Sequence, residues 1–72
     1  MRRSFKLENL DCANCAAKME NDINKLDGVN KATISFMTSK LLLDAEDSAF
    51  NNVLDSASSI CRKYEPDCTI LV

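Results

Sequence analysis

The apolar residues in the first part of the chain change their spacing once. Over residues 4–9, Phe5 and Leu7 alternate with Lys6 and Glu8, which predicts a half-buried β-strand. Over residues 15–26, apolar side chains recur every three or four positions and polar ones fill the opposite side, which predicts an amphipathic helix. The only glycine, at position 28, follows this helix and predicts a left-handed C-terminal cap.

The remaining chain shows the same two kinds of spacing, in the order strand, strand, helix, strand. Apolar residues alternate with their neighbours over residues 32–37, and a turn at 38–40 separates them from the Leu-Leu-Leu-Asp segment at 41–44, which predicts the two strands of a β-hairpin. From Ser48, a residue type that caps helices, apolar side chains recur at three and four as far as Tyr64, which predicts a second amphipathic helix. Alternation over residues 68–72 predicts a closing strand.

This order of elements predicts an α+β fold, a ferredoxin-like βαββαβ sandwich in which a four-stranded antiparallel sheet carries both helices on one face. In that topology the first strand lies between the third and the fourth. The loop at residues 64–67 is then expected to border the loop around Cys12, because the fourth strand runs antiparallel to the first. With 72 residues, of which 46% are apolar, the chain is expected to form a single domain over residues 1–72.

Composition and charge argue against several classes of partner. No apolar run approaches the ~20 residues of a membrane-spanning helix, and the start of the chain lacks the apolar stretch of a signal peptide. We therefore expect a soluble, cytoplasmic protein without membrane insertion. The net charge is −2, from nine Lys and Arg against eleven Asp and Glu scattered along the chain. Because this provides no basic stripe for phosphates, nucleic acid is not expected as a partner.

Four cysteines carry the candidate chemistry, and two of them are close together. Cys12 and Cys15 stand at a predicted loop-to-helix junction, where two sulfurs can face one point. Thiolates are preferred ligands of soft and borderline cations, so the spacing predicts a shared metal site. Because Cys15 opens the predicted helix, free backbone N–H groups and the helix dipole are expected to lower its pKa. Cys61 and Cys68 fall on apolar faces and are expected to fill the core.

Two carboxylates are candidates to complete the site. Asp11 adjoins Cys12 and adds an oxygen donor and a negative charge, which help a divalent cation far more than Cu(I). An alternative is that Asp11 caps the first helix, as Asp often does when it precedes one. Glu65, in the bordering loop, is a secondary candidate ligand, and its alternative is a solvated loop residue.

The CxxC spacing also serves structural zinc sites and thiol-disulfide exchange. A structural zinc site needs a second pair of ligands, and the chain has no histidine and only the two predicted core cysteines to supply them. A redox motif usually lies in a thioredoxin-like context with an aromatic residue or a proline nearby, whereas Ala13 and Asn14 separate these cysteines. Metal binding, with no catalysis by this domain itself, is therefore favoured.

Residues 9–20, with the Gly-Val pair after the first helix, resemble the heavy-metal-associated domain. That family includes copper chaperones, mercury-binding proteins and N-terminal modules of heavy-metal-transporting P-type ATPases. The resemblance extends to the strand order, the turn at 36–40 and the segment at 64–67. Copper-handling members typically carry Gly-Met-Thr/Ser-Cys before the loop, whereas Asn-Leu-Asp-Cys at 9–12 looks like the zinc, cadmium and lead exporters. Tyr64 is similar to the aromatic residue of ATPase modules.

The resemblance implies a module that binds Zn(II), Cd(II) or Pb(II) through Cys12, Cys15 and Asp11. Glu65 stays a secondary candidate ligand because of its place in the bordering loop. The resemblance also implies that the module lies at the cytosolic face of the membrane. There it would deliver the metal to membrane-embedded transporter domains of the same or a partner protein, or regulate them. The parent chain would be an ATP-driven P-type ATPase, and the end at Val72 suggests an excerpt of one. A freestanding cytosolic Cu(I) metallochaperone is the alternative, and thiol-disulfide exchange a more distant one. An exposed, under-coordinated site also allows a metal-bridged dimer.

Overall fold

The alternating and helical segments form the predicted elements. In the computed structural model, which describes residues 1–71, these are β1 (Arg2–Glu8), α1 (Ala13–Asn24), β2 (Val29–Ser35), β3 (Lys40–Ala45), α2 (Phe50–Tyr64) and β4 (Thr69–Leu71). The longer helix has 15 residues, and none within residues 1–71 has the length and apolarity needed to cross a membrane. Val72, predicted to belong to the closing strand, lies outside the described residues.

The four strands form one antiparallel sheet in the order β2-β3-β1-β4. As predicted, β1 lies between β3 and β4, and Glu8 at its end pairs with Thr69 at the start of β4. α1 packs against β2 and α2, and α2 packs against β4. The predicted α+β ferredoxin-like sandwich is confirmed. Its register brings the loop after β1 and the loop before β4 to the same end of the molecule.

One face of the sheet and the inner sides of both helices form the apolar core. Phe5 and Leu7 of β1 are buried, whereas the intervening Lys6 is exposed. From α1, Met19 and Ile23 are completely buried, and each such side chain stabilises the fold by about 1.5–3 kcal/mol. The core continues into the second half of the chain with Ala32, Leu41, Leu43, Ala45, Phe50, Val53, Ala57, Cys61, Cys68 and Ile70.

Both helices begin at other residues than the pattern predicts. α1 begins at Ala13, with Cys12 as its N-cap, rather than at Cys15. The prediction that Ser48 caps α2 is wrong, because Ser48 lies within a 3-10 turn, Asp47–Ala49, that precedes the helix. Within residues 1–71, no side chain forms a capping hydrogen bond at the start of α2. Hydrophobic spacing located both helices, but it did not locate their first turns.

The chain leaves β2 earlier than its alternating pattern predicts. β2 ends at Ser35, whose Oγ accepts a hydrogen bond from the backbone N–H of Thr38 at 3.4 Å, and Met37 in the resulting turn is 92% exposed. Ser39 then adopts a left-handed backbone, with φ of 53°, and its carbonyl accepts a hydrogen bond from Leu7 N–H at 2.7 Å. This turn therefore lies at the end of β1.

Candidate metal centre

Cys12 and Cys15 lie at the start of α1, with Cys12 as the N-cap and Cys15 in the first turn. The backbone of Cys12 is extended (φ −121°, ψ 115°), and its sulfur accepts a hydrogen bond from the backbone N–H of Cys15 at 3.2 Å. A cysteine sulfur here occupies the capping position that an Asp or Ser oxygen usually takes. Both cysteines are half-buried. The local sequence thus places two thiols side by side within reach of solvent.

The two thiols differ in acidity. The pKa of Cys12 is lowered, first by the hydrogen bond from the Cys15 thiol and then by the backbone N–H of Cys15. The pKa of Cys15 is raised to about 11, because its proton is held in the hydrogen bond to Cys12, with burial and the Cys12 charge adding to this. The predicted low pKa of Cys15 is therefore wrong. Because α1 begins at Ala13, its free N–H groups act on Cys12 instead.

Glu65 is the carboxylate that the structure brings to the thiol pair. One ligand atom from each of Cys12, Cys15 and Glu65 lies within 4.8 Å of the other two, and all three residues are half-buried. Two sulfurs and one carboxylate oxygen form a donor set suited to a soft or borderline divalent cation. The topology that pairs β1 with β4 accounts for this approach, since Glu65 directly follows α2.

Asp11 does not belong to this group of three. Its side chain is exposed, and it precedes the N-cap of α1 by one residue. The alternative that Asp11 caps the helix is wrong, because Cys12 holds that position. The structure thus places Glu65, the secondary candidate, in the group of three and Asp11 outside it, and the ligand roles of both stay predictions.

Two hydrogen bonds that the sequence reasoning missed join the elements around the site. The side-chain amide of Asn9 donates to the carbonyl of Asp67 at 3.1 Å, and the Tyr64 hydroxyl donates to a carboxylate oxygen of Asp22 at 2.5 Å. Asn9 has a φ of 61°. Asparagine tolerates this left-handed conformation. The asparagine at a position where copper-handling members have glycine was therefore a signal of this backbone in the sequence.

Cys61 and Cys68 lie in the hydrophobic core. Their exposed fractions are 0% and 1%. Burial raises the pKa of both thiols, that of Cys61 to about 12. These properties agree with their predicted role as core residues, since a thiol that is buried and protonated is a poor metal ligand.

Comparison with known proteins identifies relatives of this chain. Residues 4–58 match the family model of the heavy-metal-associated domain. The cadmium, zinc and cobalt-transporting ATPase of Helicobacter pylori is 53% identical over 45 residues, which make up 62% of this chain and 7% of that protein. The chain therefore spans only a small part of the length of this curated relative.

Solved structures share the fold over nearly the whole chain. The N-terminal domain of ZntA, solved in its Zn(II) form, is 35% identical, with a TM-score of 0.68 over 96% of this chain and 86% of that one. The CopZ metallochaperone has a TM-score of 0.74 over 99% of this chain and 100% of its own, at 15% identity, which shows the fold alone. Since the family model matches well over half of its residues, the chain belongs to the heavy-metal-associated domain family.

Proposed function

We propose that residues 1–72 act as one module that binds Zn(II), Cd(II) or Pb(II) between Cys12 and Cys15 and passes the ion to membrane-embedded transport domains of the same or a partner protein. The observation that carries the proposal is the group of three donors formed by the two thiols and the Glu65 carboxylate. The module itself performs no catalysis. The parent protein would be an ATP-driven P-type transporter, with the module on its cytosolic side.

The donor set supports a divalent ion over Cu(I). Two thiolates satisfy Cu(I), which gains little from an added carboxylate, whereas a divalent ion gains both an oxygen ligand and charge neutralisation. Fully deprotonated, the group of three carries three negative charges. The names of the Helicobacter pylori ATPase and of the ZntA domain refer to cadmium, zinc and cobalt and to Zn(II), which agrees with this preference.

Transfer requires a site that exchanges ligands at the surface. The three donors are half-buried rather than enclosed, and a Zn(II) ion usually takes four. An incoming thiolate or carboxylate can therefore bond before a resident ligand leaves. Asp11, exposed beside Cys12, is proposed as the fourth donor or as the first group that the ion meets. A second copy of the module can also fill the fourth position, which would give a metal-bridged dimer.

The test is a Cd(II) titration of the reduced protein, followed by thiolate-to-metal absorbance and by NMR shifts. We expect one equivalent to bind, Cys12→Ser and Cys15→Ser each to weaken binding and to lower the absorbance, and Glu65→Gln to weaken binding by about tenfold or more. Asp55→Asn, which removes an exposed carboxylate from α2, is the matched control and should change nothing.

Asp11→Asn separates the two ligand roles of Asp11. A loss similar to that of Glu65→Gln supports a permanent fourth donor, whereas an unchanged affinity with slower metal exchange supports a transient one. If neither carboxylate affects Cd(II) and Cu(I) binds far more tightly, the module is a copper carrier. A Cys12–Cys15 redox couple without stoichiometric metal would instead support thiol-disulfide exchange.

A further inference from the structure

We propose that Asn9 and Tyr64 are positioning residues, which hold the loop between α2 and β4 so that Glu65 faces the thiol pair before any metal arrives. We call residues 65–68 the carboxylate loop and residues 9–12 the metal loop. The inference rests on the proposed function and adds to it the origin of the preference for divalent ions. Neither Asn9 nor Tyr64 contributes a side-chain atom to the group of three donors.

The first positioning contact joins the metal loop to the far side of the carboxylate loop. The side-chain amide of Asn9 donates to the carbonyl of Asp67 at 3.1 Å, across a separation of 58 residues in the sequence. Asn9 makes this contact from a left-handed backbone, with φ of 61°. Most residues avoid that conformation, and glycine, which adopts it readily, has no side chain to form the bond. Asparagine meets both requirements.

The second contact lies on the other side of Glu65. The Tyr64 hydroxyl donates to Asp22 on α1, which joins the end of α2 to the helix that carries the thiols. The backbone carbonyl of Tyr64 lies 4.0 Å from the Cys15 sulfur. The residue immediately before Glu65 is therefore held beside one of the two sulfurs.

The backbone of Glu65 is fixed between these contacts. Its N–H donates to the carbonyl of Cys61, and its carbonyl accepts from the N–H of Cys68, both at 2.9 Å. Cys61 and Cys68 are buried in the core. With the backbone held at this point, the half-buried carboxylate needs little further ordering to meet a cation. Glu65 has already lost much of its conformational freedom on folding, so less of this loss opposes metal binding.

A positioning role makes a prediction that a purely structural role does not. If Asn9 and Tyr64 act through Glu65, removing their hydrogen bonds should weaken Cd(II) binding only while the Glu65 carboxylate is present. A double-mutant cycle measures this dependence. Asn9→Gly is the variant of choice because glycine keeps the positive φ and removes only the amide, and Tyr64→Phe removes only the hydroxyl.

The experiment measures the Cd(II) dissociation constant of each variant by chelator competition, with Glu65 present and in the Glu65→Gln background. We expect Asn9→Gly and Tyr64→Phe each to weaken Cd(II) binding by about threefold to tenfold while Glu65 is present, and by less than about twofold in the Glu65→Gln background. Cu(I) affinity should stay unchanged throughout, because Cu(I) is satisfied by the thiol pair. Ser39→Gly replaces another residue with positive φ at the same end of the molecule and is the matched control.

Equal losses in both backgrounds, or no loss in either, would overturn the positioning role. An unfolding curve for each variant shows whether the fold itself has changed. The positioning role is also overturned if the loss of Cd(II) affinity correlates with the loss of stability and not with the presence of the Glu65 carboxylate. The thiolate-to-cadmium absorbance keeps the two proposals apart. Its absence in the unsubstituted protein would overturn the proposed function, whereas its presence without coupling to Glu65 overturns the positioning role alone.

Discussion

The backbone N–H of Cys15 donates a hydrogen bond to the sulfur of Cys12 at 3.2 Å, which makes the two thiols of the site chemically unequal. The Cys15 thiol hydrogen bond, together with this N–H, lowers the pKa of Cys12, while the pKa of Cys15 itself rises to about 11. Of the two thiols in the metal-free site, Cys12 is therefore the one that ionises first. Metal binding through both sulfurs must displace the proton that Cys15 retains.

This inequality predicts an order of alkylation. When the reduced, metal-free protein is treated with iodoacetamide near neutral pH, Cys12 should be modified before Cys15, because the thiolate is the reactive form. Cys61 and Cys68 should stay unmodified while the protein is folded, since both are buried. Peptide mass spectrometry at successive times measures the order.

The Cys15→Ala variant tests the cause of that order. It removes the S–H donor but keeps the backbone N–H, so the pKa of Cys12 should rise and its alkylation near neutral pH should slow. Faster modification of Cys15 than of Cys12 in the unsubstituted protein would contradict the assignment of Cys12 as the more acidic thiol.

The same pKa difference predicts how Cd(II) affinity depends on pH. Protons and the cation compete for the sulfurs, so affinity rises with pH until both thiols are ionised. Between the lowered pKa of Cys12 and the value of about 11 for Cys15, binding displaces one proton. Apparent affinity should therefore rise by about tenfold per pH unit in this range, and more steeply below the pKa of Cys12, where two protons leave.

Chelator competition at several pH values measures this slope, and proton release in weakly buffered solution provides an independent count. The Cys15→Ser variant is the control, since it removes the group with the raised pKa. An affinity that stays flat between about pH 7 and about pH 9 would show that Cys15 does not bind the ion as a thiolate.

The parts of the fold that the sequence predicted are those governed by local periodicity and topology. Phe5 and Leu7 alternate with exposed residues because only one face of the sheet is covered by helices. Cys12 and Cys15 come together because residues three apart face the same side of a helical turn. The approach of Glu65 follows from the pairing of β1 with β4.

The features that could not be predicted depend on contacts between distant residues or on a choice between competing caps. The Asn9–Asp67 hydrogen bond spans 58 residues and requires an uncommon backbone conformation at Asn9. Whether Asp11 or Cys12 caps α1 depends on where the helix begins, and hydrophobic spacing leaves that uncertain by several residues. The capping position also contributes to the lowered pKa of Cys12, through the backbone N–H groups of Cys15 and Asn14, after the larger effect of the Cys15 thiol.

Substitution of Cys61 distinguishes a core residue from a metal ligand. Because its side chain is fully buried, Cys61→Ser places a hydroxyl in an apolar site and should lower the free energy of unfolding by about 1–3 kcal/mol. Cd(II) stoichiometry should stay at one, since the donor group lies elsewhere. Urea unfolding measures the loss of stability, and the absorbance titration measures the Cd(II) stoichiometry.

Ser59→Ala, an exposed change on the same helix, is the control. A loss of bound Cd(II) in folded Cys61→Ser protein would show that Cys61 is a ligand.

Gly28→Ala should destabilise the fold without affecting metal binding. Gly28 has a φ of 92°, and a Cβ added there would lie 3.0 Å from Ala49 Cβ and 3.5 Å from Val53 Cγ2. The unfavourable backbone conformation and this crowding together should lower the free energy of unfolding by about 1–3 kcal/mol.

Gly28 lies where α1 leads into β2, at the opposite end of the sheet from the thiols. The Cd(II) affinity of the folded variant should therefore equal that of the unsubstituted protein. Urea unfolding beside Asp27→Ala, the exposed neighbour, measures the first effect. Unchanged stability would show that the chain at Gly28 relaxes away from α2, whereas weakened Cd(II) binding would show that the two ends of the sheet are coupled.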